Sequence, residues 1–172
     1  MERLATHVPG LDQVLDGGLV RGGVYLLGGR PGAGETTLGN QLANEHARSG
    51  GNVLFATLLS ESHERMVAHL QAFGFFSRRH LAQRIHYVSV YDTLRDRGLT
   101  GVLEQVRDQV RARNATLLVV DGAQLLEKHA PSEIDYVRFT GALQAQLSLL
   151  DCTSVLLSDH DGRHANHRSS PG

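Results

Sequence analysis

The sequence predicts an α/β fold, a mostly parallel sheet flanked by helices, and three observations carry that reading. Short apolar runs alternate along the chain with stretches whose apolar residues recur at helical spacing. Two of the runs, Val24-Tyr25-Leu26-Leu27 and Leu117-Leu118-Val119-Val120, are apolar throughout, as parallel strands covered on both faces are. Each of these two runs stops abruptly, the first on a glycine-rich stretch and the second on Asp121.

Taken in order, residues 1–23 read as a lead-in with tight turns at Pro9-Gly10, Asp16-Gly17-Gly18 and Gly22-Gly23. Between the turns, Leu11, Val14, Leu15 and Leu19 could form the apolar face of a helical turn or two. Val24–Leu27 is the first strand, expected to be buried. A helix runs from Thr36 to about Arg48 and ends at Ser49-Gly50-Gly51, where glycine tolerates the left-handed exit. A second strand covers residues 52–59 and ends on polar Ser60-Glu61-Ser62. Helical spacing of Met66, Leu70 and Phe73 follows until Gly74 breaks it. Phe75, Phe76 and Leu81 suit a short connection packed on the sheet, and Phe73 joins them as core. Residues 85–90 alternate like a strand. Leu99 to Arg113 is an amphipathic helix with Leu99, Val102, Leu103, Val106 and Val110 on one stripe. Residues 116–120 are a strand, and 132–150 a helix opened by Ser132 as N-cap. The last strand is 153–157, placing one domain at residues 1–158 and a polar, flexible tail with three histidines at 159–172. No internal repeat appears.

Composition narrows the function classes. A chain of 172 residues suits one domain with a sizeable core. A formal net charge of −1 gives no electrostatic case for nucleic acid or a membrane surface. The single cysteine, Cys152, lies beside a strand, so a packing role is expected, together with a reducing compartment. Without a charged-then-apolar leader or an apolar run of about 18 residues, a cytoplasmic protein is expected.

The chemistry concentrates in Gly28-Gly29-Arg30-Pro31-Gly32-Ala33-Gly34-Glu35-Thr36-Thr37. Strand, glycine-rich loop and helix is the setting of a phosphate-binding loop. Glycines let backbone N–H groups turn inward around phosphate oxygens, and the helix start adds partial positive charge. The pattern G-x-x-x-x-G-K-[ST] fits Gly29 to Thr36 at every position but one. Thr36 stands where a hydroxyl ligates Mg²⁺, and Glu35 stands where a lysine reaches the phosphates.

With these pieces assembled, the chain resembles the KaiC/RadA-like branch of the RecA-like P-loop ATPases. The resemblance rests on Val8-Pro9-Gly10-Leu11-Asp12 with Gly17-Gly18-Leu19 and Gly22, on the G-x-P-G-x-G form of the loop, and on the strands ending in Glu61-Ser62 and Asp121. It covers about the first 125 residues. It implies a RecA-like core binding ATP and Mg²⁺, in which Gly29, Arg30, Pro31, Gly32, Ala33, Gly34, Glu35, Thr36 and Thr37 form the phosphate cradle. Thr36 and Asp121 would serve Mg²⁺, the latter through water. Glu61 would orient or deprotonate the attacking water; Ser60 takes the place of a second acid often found before it. Ser158 or His160, just past the last strand, would sense the γ-phosphate. Plainer readings stand beside these: Asp121 as a turn residue, Glu61-Ser62 as a helix start, and His160, His164 and His167 as a solvated tail.

A carboxylate in place of the lysine removes an attraction and adds a repulsion, each about 4 kcal/mol for unit charges 4 Å apart at an effective dielectric of 20. Protonating Glu35 at pH 7 would cost roughly 4 kcal/mol, which bounds the repulsion. Losing about that much turns a micromolar site into a millimolar one. Arg30 could offset a part. The expectation is an ATPase-like domain with nucleotide binding and hydrolysis impaired by Glu35. The alternative is a non-catalytic pseudo-ATPase that assembles with and regulates intact relatives. A DNA-handling recombinase relative is a third reading, disfavoured by the charge balance. The resembling proteins carry more sheet after the fifth strand and work as rings, so a truncated core and a homo- or hetero-oligomer of RecA-like subunits are expected.

Overall fold

The computed structural model describes residues 1–58, 63–74, 79 and 83–160. Within them a five-stranded, wholly parallel sheet is flanked by helices on both faces, in agreement with the expected α/β class and RecA-like core. Its strands are β3 (Val24–Gly29), β4 (Val53–Thr57), β5 (Ile85–Ser89), β6 (Leu117–Asp121) and β7 (Thr153–Asp159), in the spatial order β3-β7-β6-β4-β5.

Side chains alternate across this sheet with period two and build two cores. On one face Val53, Phe55, Leu117, Val119, Val155 and Leu157 pack against helix α2 (Glu35–Arg48) through Leu42, Ala43 and Ala47. On the other, Leu54, Ala56, Leu118, Val120 and Leu156 meet helices α4 (Tyr91–Arg113), α5 (Gln124–His129) and α6 (Glu133–Leu149). Helix α3 (His63–Leu70) lies between β4 and β5 in sequence, and Phe73 after it is packed against the α2 core. Cys152 is buried as expected for a packing residue, and burial pushes its thiol up to about 12.

Several elements differ from the sequence reading. The lead-in contains a two-stranded antiparallel ladder of β1 (Arg3–Leu4) and β2 (Leu19–Val20) around the one-turn helix α1 (Leu11–Val14). Asp12 ties it together, its carboxylate accepting from Thr6 N–H at 2.8 Å, the Thr6 hydroxyl at 2.7 Å and His7 N–H at 3.1 Å. Of the apolar face expected there, Leu19 is buried but Val14 is exposed. β3, expected to be covered on both faces, is an edge strand of the described sheet, and its Leu26 is 55% exposed. Helix α4 starts eight residues earlier than its apolar stripe suggests and breaks at Gly98 (φ 65°, ψ −161°). The N-cap at Ser132 holds: its hydroxyl oxygen accepts from Asp135 N–H at 3.2 Å. β7 runs two residues beyond the expected end, so Ser158 lies inside a strand, buried, and not past it. Phe75, Phe76, Leu81 and the tail histidines His164 and His167 lie outside the described residues.

Helix α2 lies close against the sheet at Gly39, where a Cβ would collide with the Leu157 side chain and press on Val119 at 3.2 Å. Gly141, on the exposed side of α6, has open space around it. Opposite outcomes are expected from similar changes. Gly39→Val should destabilise by about 1–3 kcal/mol through overpacking, and Gly141→Ala should stabilise by up to about 1 kcal/mol through helix propensity, both read from urea denaturation midpoints.

Candidate nucleotide site

The C-terminal ends of β3, β6 and β7 converge on the glycine-rich loop. The loop leaves β3 at Gly29, turns with Ala33 N–H donating to the Arg30 carbonyl at 2.9 Å, and enters α2 at Gly34. Gly32 (φ 84°) and Gly34 (φ 100°) hold left-handed backbone that other residues reach only with strain. This turns the chain so that the N–H groups of Gly32, Gly34, Glu35, Thr36 and Thr37 have no partner among the described residues. Orphan donors at the start of a 14-residue helix are what an anion needs.

Across the gap from β6, Asp121 faces this loop. Parallel pairing of β6 with β7, and of β7 with β3, brings the end of β6 to within two strands of the loop. The Thr36 hydroxyl donates to Asp121 Oδ2 at 2.8 Å, joining residues 85 positions apart. The hydroxyl and carboxylate that the loop pattern and the resemblance single out are therefore in direct contact.

Residues 4–171 match the family model described as "ATPase: KaiC". The chain belongs to the KaiC ATPase family. A UPF0273 protein of Methanopyrus kandleri is 28% identical over 92% of this chain and 67% of its own length. Another from Saccharolobus solfataricus is 28% identical over 92% of this chain, which spans 60% of that relative's length. The DNA repair protein RadA of Brucella abortus is 26% identical over 96% of this chain but only 35% of itself.

As a KaiC-family domain, the chain carries an acidic side chain inside its loop. Glu35 Oε1 is buried and has no hydrogen-bond partner among the described residues. It lies back against Gly29, in space a Cβ at position 29 would require. Fit to Mg-ATP is thus split: the Thr36–Asp121 pair and the open amides suit the group, and the Glu35 carboxylate opposes it. Arg30 is exposed and makes no hydrogen bond or ion pair with Glu35.

Asp159 adds a third carboxylate that the sequence reading missed, at the end of β7 beside Gly29 of β3. Its N–H donates to Gln124 Oε1 at 3.2 Å. Burial pushes the Asp121 carboxyl up to about 6; the Thr36 hydroxyl and the Gly122 N–H pull it down, and the negative charges of Asp159 and Glu35 add to the rise. His160 follows, with its N–H donating to the Gly29 carbonyl at 2.8 Å and its ring over Gly28, where a Cβ would lie 2.6 Å away. It is the one of the two proposed γ-phosphate sensors that stands past the strand. Pro31, Gly32, Ala33 and Gly34 form the exposed rim of the loop. Glu61, the candidate for activating water, lies outside the described residues, as do Ser60 and Ser62.

A buried polar chain behind the loop also escaped the sequence reading. Tyr87 of β5 donates to Asn40 Oδ1 at 2.6 Å, and Asn40 Nδ2 donates to the Thr36 carbonyl at 2.9 Å. Asn44, one turn on, donates to the Asn40 carbonyl at 2.9 Å. The signal was present as two asparagines four residues apart on the helix face that also carries Ala43 and Ala47.

Two buried groups give the protein opposing pH dependences. His46, within 2.7 Å of the Thr116 hydroxyl, is pushed down to about 4 by burial and by the charges of Arg21 and His7. Its depressed value means stability is lost as pH falls from the unfolded value of about 6.5 through 4. Asp121 has a raised value, so its contribution is present below about 4 and lost as pH rises through 6. Each effect is on the order of 3 kcal/mol. Asp121→Asn should therefore raise the unfolding free energy at pH 8, read from urea denaturation without divalent cations, by about 1–3 kcal/mol, and the gain should vanish near pH 4. In that variant the acid side of the profile should steepen, because the loss from His46 is no longer opposed.

Proposed function

We propose that this KaiC-family domain is a nucleotide-binding module that holds Mg-ATP weakly and hydrolyses it little or not at all. The observation that carries the proposal is the buried, unpartnered Glu35 oxygen at the base of an otherwise complete loop. In this reading Gly29 to Thr37 cradle the phosphates and Thr36 with Asp121 serves Mg²⁺. Glu61 is the residue that would act on water. The ion supplies charge neutralisation at the phosphates, which Glu35 partly cancels. Desolvation already strains the Asp121 carboxylate, and a cation beside it would favour the charged form that burial opposes.

A second reading, the non-catalytic partner of intact relatives, draws on a different observation. β3 leaves its outer backbone edge open in the described sheet, and the exposed Leu26 and Val137 line one groove there. An open parallel edge beside apolar side chains favours assembly with further RecA-like subunits, homo- or hetero-oligomeric. No helix among the described residues is long and apolar enough to cross a membrane, and we place the protein in the cytoplasm.

Isothermal calorimetry with Mg-ATP on the natural chain and on Glu35→Lys tests the first reading. Removing about 4 kcal/mol of repulsion, or restoring as much attraction, corresponds to roughly a thousandfold gain in affinity. Equal, tight binding by both forms would refute it. Turnover by Glu35→Lys but not by the natural chain would further assign the loss of hydrolysis to this one side chain, whereas comparable turnover by both would exclude the pseudo-ATPase.

A further inference from the structure

We infer that β3 is a self-association edge: two copies of this chain join β3 to β3, antiparallel, about a two-fold axis at Leu26, and make one continuous sheet of twice the width. The inference deepens the assembly reading above by naming the partner as a second copy. It makes no use of the loop's ability to hold nucleotide.

Backbone geometry fixes what this edge offers. Pairing with β7 keeps one register from Val24 opposite Ser154 to Gly29 opposite Asp159, so the strand carries no bulge. Ser154 N–H donates to the Gly23 carbonyl at 2.9 Å and His160 N–H to the Gly29 carbonyl at 2.8 Å, which turns Gly23, Tyr25, Leu27 and Gly29 toward β7. Val24, Leu26 and Gly28 therefore direct their N–H and C=O groups outward, where no other strand among the described residues lies. A row of such groups is a template for another strand, and proteins commonly blunt it with lysine, proline or a bulge. Val24–Gly29 contains none of the three.

The outward residues are symmetric about Leu26, and that symmetry selects a second copy. Antiparallel pairing at this register sets Leu26 opposite Leu26 of the second copy and Val24 opposite its Gly28, so each outward donor meets an acceptor. Side chains agree on both faces. Toward α6, Leu26 would lie beside its counterpart, next to a groove of about 420 Å³ to which α6 contributes Val137, Thr140 and Gln144. No charged side chain among the described residues lines that groove, so like charges do not meet near the axis. Toward α2, Tyr25 would face Leu27 of the second copy. The other strand with a free side in this sheet, among the described residues, is β5. Joining β5 of one copy to β3 of the next would be heterologous and grow a filament, whereas the β3 pair closes in one step.

Sedimentation velocity on the full chain over a concentration series tests this, with a monomer–dimer equilibrium and no larger species expected. Leu26→Lys opposes two ammonium groups on the axis and should weaken the dimer at least about tenfold; Leu26 is half exposed, so the circular dichroism spectrum should not change. Tyr91→Lys, exposed at the start of α4 beyond β5, should leave the dimer as it is. Leu26→Cys should form a disulfide-linked dimer under mild oxidation, because opposed Cα atoms in such a pair lie about 5.5 Å apart. Val24→Cys, out of register with itself, should not, and Cys152 is buried and does not compete. A monomer at every concentration would overturn the inference and leave only the hetero-oligomeric form of the assembly reading. A dimer untouched by Leu26→Lys would overturn it too, with assembly kept but moved to another surface. Filaments, or cross-linking through Val24→Cys in place of Leu26→Cys, would also overturn it.

Discussion

Contact between the Thr36 hydroxyl and the Asp121 carboxylate is the constraint on which the rest of the structure turns. It requires the first turn of α2 to sit over the end of β6, two strands away from the strand that feeds α2. That crossing is possible because α2 lies low on the sheet, with Gly39 against Leu157 and Val119. One turn further along the same side of the helix, Asn40 donates to the Thr36 carbonyl and is itself held by the Tyr87 hydroxyl. Packing, hydrogen bonding and strand order thus converge on one pair of oxygens.

The same convergence carries an energetic penalty. Asp121 is almost fully buried, and two further carboxylates face it from Glu35 and Asp159. Burying charge without a counter-charge opposes folding, and the cost is tolerated here at the end of a strand held on both sides. A cation would compensate three negative groups at once, whereas a nucleotide alone would add to them. Glu35 changes the sign of the loop interior while leaving its backbone in the form that receives an anion. Local geometry and local charge therefore point in opposite directions within one site, and the KaiC-family scaffold keeps both.

Legibility in the sequence followed the range of the interactions. The loop could be read because its requirements are local: glycines where φ is positive, a strand before it and a helix after it. Ser132 as a cap was legible for the same reason, since it bonds to Asp135 only three residues away. The stripe Val102, Val106 and Val110 announced the buried face of α4, yet the first seven residues of that helix carry no such stripe and were missed. Gly98 separates the predicted segment from Leu99 onward from an earlier one, Tyr91–Arg97, that the stripe does not reach. β1 and β2 are two residues each, too short to show alternation, and exist because they pair.

What the sequence determined by itself is the class of fold, the position of the glycine-rich loop between strand and helix, and the acidic residue at its end, all properties of neighbouring residues. Only the tertiary structure decided that β3 is an edge, that Asp159 and Asn40 belong to the site, and that Glu35 turns back against Gly29. Apolar runs look alike whether one face or both will be covered, because coverage depends on which strands come to lie alongside. Likewise, partners separated by tens of residues leave no periodic trace, and their meeting is set by the sheet order that long-range packing selects.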